Sequence, residues 1–170
     1  MQIRTETAAD TSVIERLTYQ AFEDHPHHAP GAKPTEHLIV QRLREQGALT
    51  LSLVAEDDTG IVGHIAFSPI TIDGTDVQWY GLGPVSVSPA RQGEGIGAAL
   101  IKAGLAQMTP LGAAGVVVLG EPAYYSRFGF AVDANLTLSG VPAEYFLVQS
   151  LQGDQPLPAG VVAYHSAFYG

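Results

Sequence analysis

Residues 82–98 read Leu82-Gly-Pro-Val-Ser-Val-Ser-Pro-Ala-Arg-Gln-Gly-Glu-Gly-Ile-Gly-Ala98, and this stretch decides how the chain is read. A short apolar strand containing Val85 and Val87 stops at Ser88 and Pro89. A glycine-rich loop follows, and then an amphipathic helix. Glycine inside a helix costs about 1 kcal/mol against alanine, so Gly93, Gly95 and Gly97 together give up roughly 2–3 kcal/mol unless something needs them. Close approach of backbone N–H groups to a ligand would need them, because no Cβ stands in the way. A helix start carries unpaired N–H donors and the positive end of the dipole, which suits phosphate oxygens. The stretch therefore reads as a pyrophosphate-binding turn.

The totals narrow the possibilities. A chain of 170 residues, 46% of them hydrophobic, suits one domain with a real core. No apolar run reaches the ~18 residues of a membrane span. The start, Met-Gln-Ile-Arg-Thr-Glu, lacks the apolar stretch of a secretory signal. The chain contains no cysteine, which excludes disulfides and thiolate metal sites and fits a cytoplasmic protein. A net charge of −9 argues against nucleic acid, whose binding needs a basic surface, and suits a cationic small substrate. Neither a nucleic acid nor a membrane is an expected partner.

Outward from the glycine loop, the periodicity reads β-α-α-β-β-β-α-β-α-β-β. Thr7 to Asp10 has the form of a capping box before a helical stripe of Val13, Ile14, Leu17, Ala21 and Phe22. Asp24 to Pro34 is a loop by composition, and a second helix is expected over 35–46 with Gly47 as its stop. Leu49, Leu51, Leu53 and Ala55 alternate, Asp57 to Gly60 turns, and Ile61, Gly63, Ile65 and Phe67 return, which is a hairpin with one face inward. Ile72 to Thr75 is a further turn, and Val77 to Val87 a strand. Leu100, Ile101, Leu105 and Met108 mark the helix after the loop. Val116 to Leu119 is an unbroken apolar run, expected to be a strand buried on both faces. The tail holds strand candidates at 145–151 and 160–164. One domain is expected over 1–170, with a core of 1–132 and C-terminal strands in 133–170.

Two readings of the loop compete. Gly93-x-Gly95-x-x-Ala98 satisfies a dinucleotide fingerprint, with Glu121 at about the spacing that fingerprint wants for a ribose contact. Against it, Ser88 to Gln92 separate strand from first glycine, the preceding strands look antiparallel, and no β-α-β units follow Glu121. The same residues also read Gln92-x-x-Gly95-x-Gly97-Ala98. With a strand before and a helix after, this resembles the acetyl-coenzyme A motif of the GNAT superfamily of N-acetyltransferases. Tyr124-Tyr-Ser-Arg-Phe-Gly-Phe130 resembles the Y-x-x-x-G-F that closes the core of the same superfamily, and the two motifs stand in the expected order. The resemblance covers roughly 1–132, and its wording is similar to a bacterial branch of predicted acetyltransferases.

The resemblance implies an α/β, single-domain GNAT-like fold: a mixed, mostly antiparallel central sheet with splayed strands, flanked by helices. It implies acetyl transfer from acetyl-CoA, with no metal, to a primary amine on a small molecule or peptide. Self-association as a homodimer is compatible with it. The alternative is a non-catalytic module that binds or senses acyl-CoA. A bulge near 84–87 would free the backbone of Val85 and Val87 for the pantetheine arm, and Pro84 fits a bulge because proline donates nothing to a ladder. The amides of Gln92, Gly93, Gly95, Ile96, Gly97 and Ala98 would hold the pyrophosphate, with Arg91 outside it and Glu94 turned to water.

By position, Tyr125 matches the family tyrosine that donates to the departing sulfur, with Tyr124 second. A phenol near 10 and a thiol near 8.5 make full proton transfer uphill by about 2 kcal/mol, so a hydrogen bond to the thiolate is the expected role. Relatives often place a glutamate on the fourth strand as base, and Gly81 to Ser88 holds none. His64 and Glu121 are the candidates, beside a water held by backbone carbonyls. His25, His27 and His28 read as part of a loop that shapes the acceptor pocket rather than as a metal site, and Trp79 and Tyr80 as lining or core.

Overall fold

The computed structural model describes residues 1–23, 33–153 and 155–169. The segment holding His25, His27 and His28 lies outside them. The described elements run β1 (Gln2–Thr5), α1 (Thr11–Phe22), α2 (Glu36–Glu45), β2 (Leu51–Asp57), β3 (Gly60–Pro69), β4 (Thr71–Ile72), β5 (Trp79–Val87), α3 (Ile96–Met108), β6 (Gly115–Leu119), α4 (Pro122–Tyr125), β7 (Leu136–Thr137), β8 (Phe146–Ser150) and β9 (Gly160–Ala163). Strands β1-β2-β3-β5-β6-β8 form the main sheet, and β4-β9-β7 a small second one. In the main sheet only β5 and β6 pair in parallel, with α3 as their crossover. The two tail strands form where expected, but β9 joins the small sheet. The two-residue strands β4 and β7 were too short to read from alternation.

Local chemistry sets the helix ends. The Asp10 carboxylate accepts from the Thr7 backbone N–H at 2.7 Å and from both terminal nitrogens of Arg4, so the expected box is in place. It opens a short turn, Ala8–Asp10, that runs into α1. Gly47, at φ 67°, follows the last turn of α2 in the left-handed conformation.

The sheet is covered on both faces. Leu53, Ile65 and Phe67 pack on one side against Leu100, Ile101 and Met108 of α3. On the other side Ile14 of α1 and Val40 of α2 cover Val54, while Trp79, Val117 and Val148 pack with Val162 of the small sheet. The hairpin β2–β3 is thus buried on both faces, not one. Ser52, Val54, His64 and Ser68 are as deeply enclosed as their apolar neighbours. The alternation marked one face correctly; the second is closed by helices that lie far away in sequence. Strand β6 matches its reading at Val116 and Val118, in one cluster, and Val117, in the other, while Leu119, the last of the run, is exposed.

Helix α3 begins at Ile96, so Gly93 and Gly95 precede it. Their φ values of 82° and 84° are left-handed, which is the physical need for glycine there. The helix-interior cost assigned to three glycines therefore applies, in this loop, only to Gly97. Burial of Ile96, Leu100, Ile101 and Met108, at about 1.5–3 kcal/mol each, outweighs it.

Candidate active site

The site begins where two parallel strands part. Strand β5 pairs with β6 at Trp79–Gly115, Tyr80–Val116 and Gly81–Val117, and no pairing continues beyond Gly81. On its other edge β5 stays with β3 as far as Val87, but Ile65 faces Val85 while Phe67 faces Leu82. Gly83 and Pro84 together therefore oppose Ala66 alone. This is the extra residue of a bulge, one step earlier than expected; Gly83 takes φ 141° and Pro84 has no N–H to give a neighbour. The bend turns β5 away from β6 and opens a V between Leu82–Val87 and the end of β6.

A cavity of about 680 Å³ fills one mouth of the V, lined by Gln20, Val85, Val87, Gln92, Gly97 and Tyr124 among others. Beside it, the Arg91 N–H donates to the Ser88 carbonyl and the Ala99 N–H to the Gly95 carbonyl. Between them, no amide from Gln92 to Ala98 has a partner among the described residues. A Cβ at Gly93 or Gly95 would meet nothing within 4 Å, and one at Gly97 would stand 3.4 Å from the Tyr124 hydroxyl oxygen. The first turn of α3 contains no acid. Bare amides, a helix start and open space fit a diphosphate. The Gln92 side chain donates to the Val87 carbonyl at 3.3 Å, tying the loop back to β5.

Arg91 does not face this cradle as a free cation. Its guanidinium is paired with Asp57 and, at 2.9 Å, with exposed Glu94. Hydrogen bonds from Thr59 and then Arg91 hold the Asp57 carboxyl far below the usual carboxylate range.

The two tyrosines separate in role. Tyr124 reaches the cavity, and Arg127 stacks 4.7 Å over its ring. Tyr125 is 8% exposed and packs edge-on against Tyr124 and Phe130. Its ring lies on the backbone of Gly120, just past β6, where a Cβ would overlap it. Burial, and secondarily Tyr124, pushes its hydroxyl up to about 12. Tyr164, after β9, rests against Gly81 at the last β5–β6 pair. Burial raises its hydroxyl above the ordinary phenol range, with smaller contributions from Tyr169 and Tyr125.

The base candidates fall in different places. Glu121 is exposed at the start of α4. His64, far from being on a solvated face, is fully buried between β2 and β5. Its Nε2 lies 2.7 Å from Ser52 Oγ, whose hydroxyl donates to Glu6, which in turn accepts two bonds from Arg44. Because Ser52 gives its proton to Glu6, His64 donates from Nε2 and its Nδ1 carries the lone pair. Burial lowers its pKa to about 4, outweighing the raising effect of Glu6. Trp79 and Tyr80 belong to the two cores.

A second cavity, of about 400 Å³, fills the other mouth of the V, against Leu82, Gly83, Pro84 and Leu119. Its remaining walls come from α1, α2 and the tail, and Phe22 lines both cavities. The tail residues, Tyr164 among them, were not legible as site residues; an aromatic-rich end after a strand was their only mark in the sequence.

Comparison with known proteins matches residues 49–132 to the family described as acetyltransferase (GNAT) domain. The uncharacterized N-acetyltransferase YhbS of Escherichia coli K12 is 41% identical over 136 residues, 79% of this chain and 76% of that one. The chain belongs to the GNAT acetyltransferase family. It is thus a member of a family of acetyl-CoA-dependent N-acetyltransferases, and the dinucleotide reading of the loop is set aside. A GNAT family acetyltransferase from Brucella melitensis, solved in complex with acetyl-CoA, has a TM-score of 0.84 and 47% identity, covering 98% of this chain and 97% of that one. Escherichia coli YhbS, solved in complex with CoA, has a TM-score of 0.89 and 37% identity, covering 99% and 92%. Among the described residues no group of histidines and carboxylates could hold a metal ion, and no helix is long and apolar enough to cross a membrane.

Proposed function

We propose that this GNAT enzyme moves the acetyl group of acetyl-CoA onto a primary amine by direct attack of nitrogen on the thioester carbonyl. The observation that carries the reading is the parting of β5 from β6 beside a run of amides without partners among the described residues. The amides of Gln92, Gly93, Gly95, Ile96, Gly97 and Ala98 hold the diphosphate, and the free edge of β5 at Val85 and Val87 takes the amide-rich arm. The thioester then lies near the bulge, between the two cavities. A C–N bond forms, the C–S bond breaks, nitrogen loses its proton, and the sulfur leaves as thiolate.

Tyr125 serves the leaving sulfur as a hydrogen-bond donor. With its hydroxyl at about 12 against a thiol near 8.5, full transfer is uphill by about 5 kcal/mol, so donation without transfer is the role open to it. Tyr124, in the cofactor cavity, positions the cofactor. His64 has no place in the proton path, since it is neutral and enclosed; its ring ties β3 to β2 through Ser52. The amine proton leaves through water at the cleft, and fixing the two reactants in contact supplies several kcal/mol of the barrier reduction.

The test is thiol release from acetyl-CoA with a panel of primary amines. Release that depends on the amine, with a product heavier by one acetyl group, supports the reading. Saturable cofactor binding with no release on any amine overturns it.

A further inference from the structure

We propose that Arg127 takes the 3′-phosphate of CoA and so makes the enzyme select CoA over 3′-dephospho-CoA. This deepens the acetyl-transfer reading and rests on its placement of the cofactor. Arg127 lies in the turn after α4, where its guanidinium carbon stands 4.7 Å over the ring of Tyr124 and 5.5 Å over that of Phe128. The two rings meet edge-on with centroids 5.4 Å apart, so this exposed side chain rests in an aromatic corner.

A guanidinium over a ring is attracted by the ring's negative face and keeps its N–H groups at its edges, where they can donate. Those of Arg127 have no acceptor and no carboxylate partner among the described residues. Arg4, Arg44 and Arg91, by contrast, are each bound to carboxylates. Arg127 is thus a charge that is held in place without being neutralised by its neighbours.

Tyr124 fixes where that charge lies. Its ring lines the first cavity, and its hydroxyl oxygen would stand 3.4 Å from a Cβ at Gly97, in the first turn of α3. Arg127 therefore sits at the rim of the cofactor cavity, beside the helix start. The amide run from Gln92 to Ala98 provides for the diphosphate, and Arg91 next to it is already balanced by Asp57 and Glu94. CoA carries one phosphate more, a monoester on the ribose beyond the diphosphate. A planar fork of N–H donors matches such a group through charge-assisted hydrogen bonds. The net charge of −9, with Glu23 on the cavity wall, opposes a polyanion, and a cation at the rim offsets that opposition locally.

The experiment measures Kd for CoA and for 3′-dephospho-CoA by calorimetry on the full chain, in the unaltered protein, Arg127→Gln and Arg127→Lys. We expect the unaltered protein to favour CoA by ~10-fold or more at low salt. Arg127→Gln should bring that ratio below ~3-fold by weakening CoA alone, and Arg127→Lys should restore part of it. Both ligands meet the same sample, so loss of folded protein does not change the ratio. Equal affinity for the two ligands in the unaltered protein overturns the proposal. So does a ratio that survives Arg127→Gln, or an equal loss for both ligands, which would assign Arg127 to the adenine or to the setting of Tyr124. These outcomes leave CoA binding intact. If the unaltered protein binds neither ligand, the placement of the cofactor falls, and the role of Arg127 with it.

Discussion

At the mouth proposed for the cofactor the groups come mainly from one contiguous stretch, Val85 to Ala98, with its run of backbone amides that have no partner among the described residues. At the other mouth the lining comes from α1, α2, the β5 bulge, the end of β6, the segment after β7 and the last turn of the chain. A diphosphate is the same in every reaction that uses CoA, so a rigid turn of bare N–H groups suffices. An acceptor differs from one enzyme to the next, and discrimination comes from shape and desolvation assembled from distant parts.

The contrast is broken most forcefully at Gly95. Its left-handed φ of 84° strains any branched side chain, and the open space beside it is where the proposed diphosphate would lie. Gly95→Val should weaken acetyl-CoA binding by ~100-fold or more, read by calorimetry, with the fold retained by circular dichroism. Normal binding in that variant would remove the loop from the cofactor site.

The floor beneath both mouths is tested by pH. His64 has a folded pKa near 4 against an unfolded value near 6.5, so the unfolded chain binds the extra proton between them. Stability is therefore complete above about 6.5 and falls as pH drops toward 4, by up to about 3 kcal/mol. Urea midpoints at pH 7 and pH 5 should show this slope, and His64→Gln should flatten it. An equal slope in both proteins would assign the effect to other groups.

Smaller effects sharpen the division of labour between the tyrosines. Tyr125→Phe should lower kcat by ~10–100-fold and leave the acetyl-CoA Kd unchanged, whereas Tyr124→Phe should act on Kd first. The reverse pattern would exchange their roles. Least affected should be Arg91→Ala, with a change in acetyl-CoA Kd below ~5-fold, because Asp57 and Glu94 already balance its charge. A larger loss would return Arg91 to the phosphate site.

Much of this was open to reading before any coordinates. The capping at Thr7 and Asp10, the stop at Gly47, the double-sided burial of Val116 to Val118 and the loop at Gly93–Gly97 all follow from spacing and residue type. Each depends on neighbours within a few positions. A histidine opposite an apolar stripe, as His64 is, looks solvated until α1 and α2, distant in the chain, close over it. Tyr164 escaped notice for the same reason, since nothing near it in the chain records its contact with Gly81.

By itself the sequence determined the family and the glycine turn before α3, because glycines with left-handed φ impose their geometry on the backbone where they stand, while the parting of β5 was legible only through the resemblance. The tertiary structure alone decided which aromatic and aliphatic side chains line the second cavity and which histidine is sealed from solvent. Those outcomes depend on surfaces brought together from Phe22 to Tyr169, and burial is a property of the packed whole rather than of any one segment.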